Sequence, residues 1–257
     1  MLDFLEQEHI SRDILDGIRA YRARYPLPER LRPRVPHPHY HYYGREIWEA
    51  AAAALLCGRN LLLAGSKATG KNVLAENLSM AFDRPAWNVS FHVNMDAASL
   101  IGMDTFTGGE VTFRPGPVYL CAQSGGFGIL DEINMAKNEA LTSRFVVIQM
   151  PTIAEDGLER LLSDEFPTLE KKYRGQFAAL FLDLQKKCES AEISSKALDL
   201  RGLLDALHLM RTGVAPAFAL DMGITNKAFD SYEQGLIRDV IATRIPAKLE
   251  SRRLFTD

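Results

Sequence analysis

The sequence predicts an α/β fold, a parallel sheet sandwiched by helices, followed by a smaller all-helical domain. Three observations carry this. Asn60-Leu-Leu-Leu-Ala64 is a short apolar run of the kind buried on both faces in parallel sheets, and Phe127-Gly-Ile-Leu-Asp131 and Phe145-Val-Val-Ile-Gln-Met150 look like two more strands. Helical stretches stand between strand signals, which indicates parallel pairing through crossovers. From Pro151 onward, residues 155–245 show helical periodicity with few strand signals, so a boundary is expected near 151–155.

Taken in order, residues 1–35 begin helical and then become rich in Pro and Arg (Pro26, Pro28, Pro33, Pro36), which breaks helices and makes a connector. Glu46 to Cys57 is Ala-rich, has high helix propensity and stops at Gly58. The first strand follows, then a Gly-bearing loop and a helix to about Phe82. Trp87 to Val93 alternates like a second strand. Gly108-Gly109, between Thr-rich and aromatic-alternating flanks, marks a hairpin. Beyond the boundary, Gln176–Leu184 and Leu200–Met210 are the clearest helices. The expected parts are 1–41, an N-terminal helix and connector; 42–152, the α/β core; and 153–257, the helical domain and tail.

Of the 257 residues, 47% are hydrophobic and 25% charged, which excludes a disordered or collagen-like chain. Lys and Arg total 30 against 33 acids, and a net charge of -3 gives no general pull towards nucleic acid or anionic lipid. Cys57, Cys121 and Cys188 are far apart with no CxxC pair and read as reduced, buried thiols. The first residues carry acid and no apolar leader segment, and the longest apolar run, Ala50–Cys57, is far short of the ~20 residues that a span needs. A cytoplasmic protein is expected.

The strongest chemical signal is Gly65-Ser66-Lys67-Ala68-Thr69-Gly70-Lys71-Asn72, which fits GxxxxGK[ST] except at its last position. It stands between a predicted strand and a predicted helix. There, glycines let backbone N–H groups turn in around phosphates, the helix offers its positive end, and Lys71 reaches the outer phosphates. Asn72 replaces the hydroxyl that normally meets Mg²⁺ with an amide oxygen, also a ligand for hard cations. The second signal is Asp131-Glu132 at the end of an apolar strand, where α/β sheets bind ligands. Asp131 is the expected Mg²⁺ ligand, and Glu132 is expected to orient the attacking water.

With these motifs in place, the chain resembles the AAA+ ATPases, specifically the MoxR-type branch with the CbbQ/NorQ-like activators, from about Tyr42 to Arg244. Further stretches carry the likeness. Tyr43-Gly44-Arg45-Glu46 stands where the family has its adenine-side segment. Leu100–Asp104 and Phe106–Pro117 resemble the hairpin inserted in helix 2. Asp131-Glu-Ile-Asn134 matches the Walker B wording. Leu141-Thr-Ser-Arg144 resembles the segment bearing the arginine finger, and Ser195–Arg201 resembles sensor 2. The resemblance implies ATP and Mg²⁺ as cofactors. It places nucleotide on Gly65, Ser66, Lys67, Ala68, Thr69, Gly70, Lys71, Asn72 and Val73, with Tyr43 (or Tyr42) on the adenine side. It implies catalytic roles for Lys71, Glu132, Arg144, acting on a neighbouring subunit, and Arg201, acting from the helical domain. A ring, hexameric in the family, follows from a finger acting in trans. So does chaperone-like remodelling of a protein client, often beside a partner with a von Willebrand factor A domain, with the hairpin around Thr105–Pro117 as client surface. The alternatives from other classes are a monomeric P-loop switch or phosphotransferase and a nucleic-acid motor, which the charge disfavours.

One feature departs from that family. The interval from Asp131 to Arg144 is 13 residues, where the family spends several tens on a helix, a further strand and a loop. In the AAA+ sheet that strand lies between the phosphate-loop strand and the Walker B strand. Its absence would leave both without a neighbour. The expectation is that ~40 residues, the length a crossover unit needs, are missing here. The alternative is a short variant that binds nucleotide and hydrolyses poorly. An unbroken sheet with the two motif strands paired directly would count against an omission.

Other residues are discounted. His37, His39 and His41 alternate as metal ligands can, but no carboxylate or Cys completes a site, and a packed connector suits them better. Lys171-Lys-Tyr-Arg174 reads as a solvated helix face, and His92 and His208 as core or boundary residues.

Overall fold

A computed structural model describes residues 1–92, 94–133, 144–195, 198–246 and 248–256, without the side chain at position 107. The chain forms two compact units, residues 1–64 with 70–150, and residues 65–69 with 151–257.

In the first unit, α1 (Leu2–Gln7) and α2 (Arg12–Arg24) precede a 3₁₀ turn at Glu29–Arg34, so the Pro-rich stretch is partly ordered into a helical turn. Then come α3 (Arg45–Leu56), β1 (Asn60–Ala64), α4 (Lys71–Ala81), β2 (Ala86–Ser90), α5 (Ala97–Ile101), β3 (Gly102–Thr107), β4 (Glu110–Pro115), α6 (Pro117–Ser124), β5 (Phe127–Asp131) and β6 (Phe145–Gln149). α6 starts on Pro117, whose missing N–H costs nothing at a first turn, and ends at Gly125 in the left-handed conformation. Leu5, Ile18, Trp48, Ala51, Leu74, Leu78 and Phe82 build one core, so the N-terminal helices pack with the helix that follows the phosphate loop. Arg22 tightens that packing by donating to the carbonyls of Met80 and Ala81, at 2.9 and 2.7 Å, at the C-terminal end of α4.

The strands pair as three ladders. β1 runs parallel to β6, with Asn60 opposite Phe145 and Ala64 opposite Gln149. β2 runs parallel to β5, with Ala86 opposite Phe127 and Ser90 opposite Asp131. β3 and β4 form an antiparallel hairpin closed at Gly108-Gly109. Among the described residues β1 and β5 are not paired with each other.

The second unit carries α7 (Glu155–Glu165), α8 (Lys171–Glu189), α9 (Leu200–Arg211), α10 (Pro216–Gly223) and α11 (Ser231–Arg244). Leu158, Leu162, Phe177, Leu180, Leu203, Leu207, Leu220 and Ile237 are fully buried within it. α9 and α10 touch backbone to backbone: a Cβ on Gly202 would stand 2.0 Å from the carbonyl oxygen of Gly223. Asp199 and Asp230 cap α9 and α11 by accepting from backbone N–H groups of their first turns. The chain end returns to this unit, where Glu170 N donates to Leu254 O at 2.9 Å and Leu254 is buried. No helix among the described residues is long and apolar enough to cross a membrane.

Three expectations change. Cys57 is exposed at the end of α3 and Cys121 and Cys188 are half-buried, so the thiols are free but not core residues. His92 is exposed, and His208 is an exposed partner of Glu165 at 3.1 Å, because it falls on the outer face of α9. Arg174 is no solvated residue: it is half-buried and donates to Leu169 O at 3.0 Å.

Candidate functional site

The loop after β1 holds three residues with left-handed backbone, Gly65 (φ 153), Ala68 (φ 63) and Gly70 (φ 78). Left-handed turns of this kind aim successive N–H groups to one side and make anion cradles. Ala68 adopts the conformation despite its Cβ, a strain that proteins retain mainly at functional sites. Thr69 is buried and its hydroxyl donates to Ser66 O at 3.0 Å, closing the loop on itself. Gly70 caps α4, and a Cβ there would meet the Tyr42 ring at 3.0 Å, so both backbone conformation and packing require glycine. Lys71, Asn72 and Val73 form the first turn of α4 and are half-buried.

The acidic pair meets this helix end. Asn72 Nδ2 donates to Asp131 Oδ2 at 2.8 Å, and Glu132 N donates to Asp131 Oδ1 at 2.9 Å. Glu132 is exposed and sits at φ 54, a second non-glycine residue held left-handed at the site. Phe91 N donates to Asp131 O at 2.9 Å, extending the ladder that fixes Asp131 at the strand end.

These residues suit a magnesium nucleotide. Asp131 beside the first turn of α4 offers hard oxygen donors at the positive end of a helix. No group of three or more His, Cys, Asp or Glu side chains gathers among the described residues, and Mg²⁺ commonly takes one or two carboxylates with phosphate and water.

The aromatic neighbour of the loop is Tyr42, which is buried, whereas Tyr43 is half-buried and lies edge-on to Phe4 at 5.6 Å. Burial pushes the Tyr42 phenol up from its ordinary value. Asn77 was not anticipated. It is fully buried on α4, donates to Tyr40 O and Val73 O at 2.9 and 2.8 Å, and accepts from Tyr42 N. It thereby staples the Tyr40–Tyr42 segment to the helix behind the loop. An amide between Leu74 and Leu78, inside the apolar stripe of a helix, was the signal available.

Arg144 is exposed immediately before β6, and Arg201 is exposed in the first turn of α9. In the second unit Lys67 adds its positive field to Asp199, half-buried at the start of α9. Burial opposes ionisation there, yet the hydrogen bond and charge of Lys227, with Lys67 behind them, hold the Asp199 carboxyl below its ordinary range. Asn134, residues 141–143 and residues 196–197, all used in the sequence comparison, lie outside the described residues.

The model of the AAA domain (dynein-related subfamily) matches residues 60–197, more than half of the chain. The chain belongs to this AAA family. The match takes in the loop, the acidic pair and Arg144, while Tyr43 and Arg201 lie outside it. Its fold is therefore an α/β P-loop AAA+ fold with helical parts, and its class is the nucleotide-binding AAA+ ATPases. Two relatives are similar along most of their length. The uncharacterised protein YojN of Bacillus subtilis is 27% identical over 291 residues, covering 93% of this chain and 95% of its own. An uncharacterised protein of Staphylococcus aureus is 27% identical over 256 residues, covering 79% of this chain and 97% of its own. The first alignment is longer than the 257-residue chain itself, and 93% of 257 residues fills all but about fifty of its 291 positions. The second leaves about fifty of 256 positions unfilled in the same way.

Proposed function

We propose that this AAA protein is a MoxR-type ATPase that binds and hydrolyses Mg·ATP as a ring and works in the cytoplasm as a chaperone-like remodeller of a protein client. The observation that carries the reading is the 2.8 Å contact between Asn72, in the first turn after the phosphate loop, and Asp131, at the end of the acidic strand. The contact supports a site in which the helix after the loop and the acidic strand end act together. Lys71 holds the outer phosphates, Asp131 and Asn72 supply oxygen ligands to the cation, and Glu132 orients the attacking water. Held by Asp131 and Asn72, Mg²⁺ would supply charge neutralisation at the phosphates.

Arg144, exposed and in the matched family region, suits a finger that acts on a neighbour, and Arg201 suits a phosphate sensor. The hairpin supports the client role. Phe106, Val111 and Phe113 share one face of it, 76%, 68% and 48% exposed, opposite a face of Thr105, Thr112 and Arg114. Exposed apolar side chains on a hairpin, with Asp104 beside them on the same face, fit an unfolded segment or a partner with a von Willebrand factor A domain.

A second reading, a nucleotide binder that hydrolyses poorly, is favoured by one specific feature: the Asn72 amide donates to the Asp131 oxygen that a cation would take. Binding of a fluorescent ATP analogue and phosphate release, measured side by side, separate the two. The ATPase reading expects Lys71→Ala to weaken binding about 100-fold, and Arg144→Ala to keep binding while losing 10³-fold or more of turnover. Tight binding with no release in the parent protein selects the second reading, and release indifferent to Arg144→Ala removes the ring.

A further inference from the structure

The C-terminal end of α4 borders a cavity that the nucleotide reading leaves unused. Its volume is about 490 Å³, inside the ~300–1,000 Å³ range of small-molecule sites. Residues of α1, α2, the 3₁₀ turn and the end of α4 line it, all within the first unit. Met80, on its wall, is roughly 14 Å along the helix from Lys71, at about 1.5 Å per residue. The cavity is thus separate from the phosphate loop.

Two of the lining residues are costly where they stand. Asp83 follows α4 in left-handed backbone (φ 53), a position that favours glycine, and sets a carboxylate at the negative end of the helix dipole. Arg32 faces it with Nη1 3.9 Å from Oδ1, too far for a hydrogen bond. Arg22 is half-buried, and its bonds to Met80 O and Ala81 O use only part of the guanidinium fork. Its other N–H groups meet no hydrogen-bond acceptor among the described residues. Burial lowers the Arg22 pKa, and the charge of Asp83 offsets only part of that. A cation so placed gains by taking an anion into the cavity. The local charge pulls the same way, since from position 22 to 34 Arg24, Arg30, Arg32 and Arg34 follow Arg22 and Glu29 is the only acid.

The remaining lining sets the rest of the ligand. Leu2, Val35 and Met80 give an apolar wall, and Asp3 lines the cavity as a second, exposed carboxylate. Guanidinium forks match phosphate oxygens, whereas carboxylates accept from hydroxyls. We propose that the cavity binds a small hydroxyl-bearing phosphate monoester, of the sugar-phosphate class. Its phosphate meets Arg22 and Arg32, and its hydroxyls donate to Asp3 and Asp83.

Calorimetric titration with ribose 5-phosphate tests this, run in the Lys71→Ala protein so that the phosphate loop does not compete. Saturable binding is expected, at least about 10-fold tighter than that of inorganic phosphate, with none for ribose alone. Arg32→Gln, at a half-exposed side chain, is expected to weaken it about 10-fold or more. Asp3→Ala is expected to narrow the advantage over inorganic phosphate several-fold. Hydrogen exchange locates the ligand: amides of 82–84 are expected to slow with ribose 5-phosphate, while those of 70–73 do not. Absence of saturable binding overturns the proposal. So does binding that Arg32→Gln leaves unchanged, or slowing at 70–73 in place of 82–84. Equal affinity for inorganic phosphate marks an adventitious ion only and overturns it too. The titration uses no ATP, so the ATPase reading stands or falls apart from it.

Discussion

The strand-bearing unit and the helical unit are made from similarly apolar sequence but bury it to different depths. In the helical unit Leu203 and Leu207 are wholly inaccessible, and so are Leu158, Leu180 and Ile237 on the surrounding helices. In the strand unit Leu61, Leu62 and Leu63, in the most apolar run of the chain, are only half-covered, and Val146 and Val147 of β6 are 39% and 44% exposed. A helix satisfies its backbone internally and needs only side-chain neighbours, whereas a strand needs a partner on each edge as well. Strands with one ladder each among the described residues therefore keep more apolar surface exposed than the helices do.

The sharpest way to break this comparison is a matched pair of truncations. Leu207→Ala in α9 is expected to cost about 3 kcal/mol, as for a fully buried leucine, while Leu62→Ala in β1 costs about 1 kcal/mol. Urea unfolding followed by tryptophan fluorescence and circular dichroism measures both; equal losses would mean that β1 is buried in solution. A smaller effect is expected at Asn77. Asn77→Ala removes the side-chain donor to Tyr40 O and Val73 O and the acceptor of Tyr42 N, and should cost about 1–3 kcal/mol. It should also weaken nucleotide binding, since the segment behind the loop loses its staple; Asn77→Asp, which sets a buried carboxylate against the carbonyls of Tyr40 and Val73, should weaken it at least as much.

Asn72→Thr restores a hydroxyl at the first turn of α4 and frees Asp131 Oδ2. The expected result is a several-fold lower magnesium concentration for half-maximal nucleotide binding, read in a metal titration, and an unchanged requirement would remove Asn72 from the metal site. The smallest effect concerns pH and belongs to the helical unit. Asp199 has a folded-state pKa below its ordinary value, so its contribution is present at neutral pH and is lost as pH falls through the ordinary carboxylate range towards the folded value. With Lys227 partly exposed the pair is worth about 1 kcal/mol or less. Asp199→Asn should therefore lower the melting temperature slightly at pH 7, with the difference shrinking as pH falls below the ordinary carboxylate range.

The amino-acid sequence by itself determined the elements and the chemical type of the site. Short apolar runs specified β1, β5 and β6, the Ala-rich run specified α3, and Gly108-Gly109 specified the hairpin, because each pattern is local and readable. The loop from Gly65 to Asn72 and the pair Asp131-Glu132 were legible for the same reason, as residue types fixed by phosphate and metal chemistry. The short interval before Arg144 was also legible, as a length. Tertiary structure alone decided which strands pair, that Asn72 turns its amide to Asp131, that Tyr42 lies against Gly70 rather than Tyr43, and that Asn77 anchors that segment. It also decided that Ala68 and Glu132 take left-handed backbone and that His208 faces outward. These depend on contacts between residues distant in sequence, Asn72 and Asp131 being 59 positions apart. No local period encodes such a contact, because it forms only when separate elements pack.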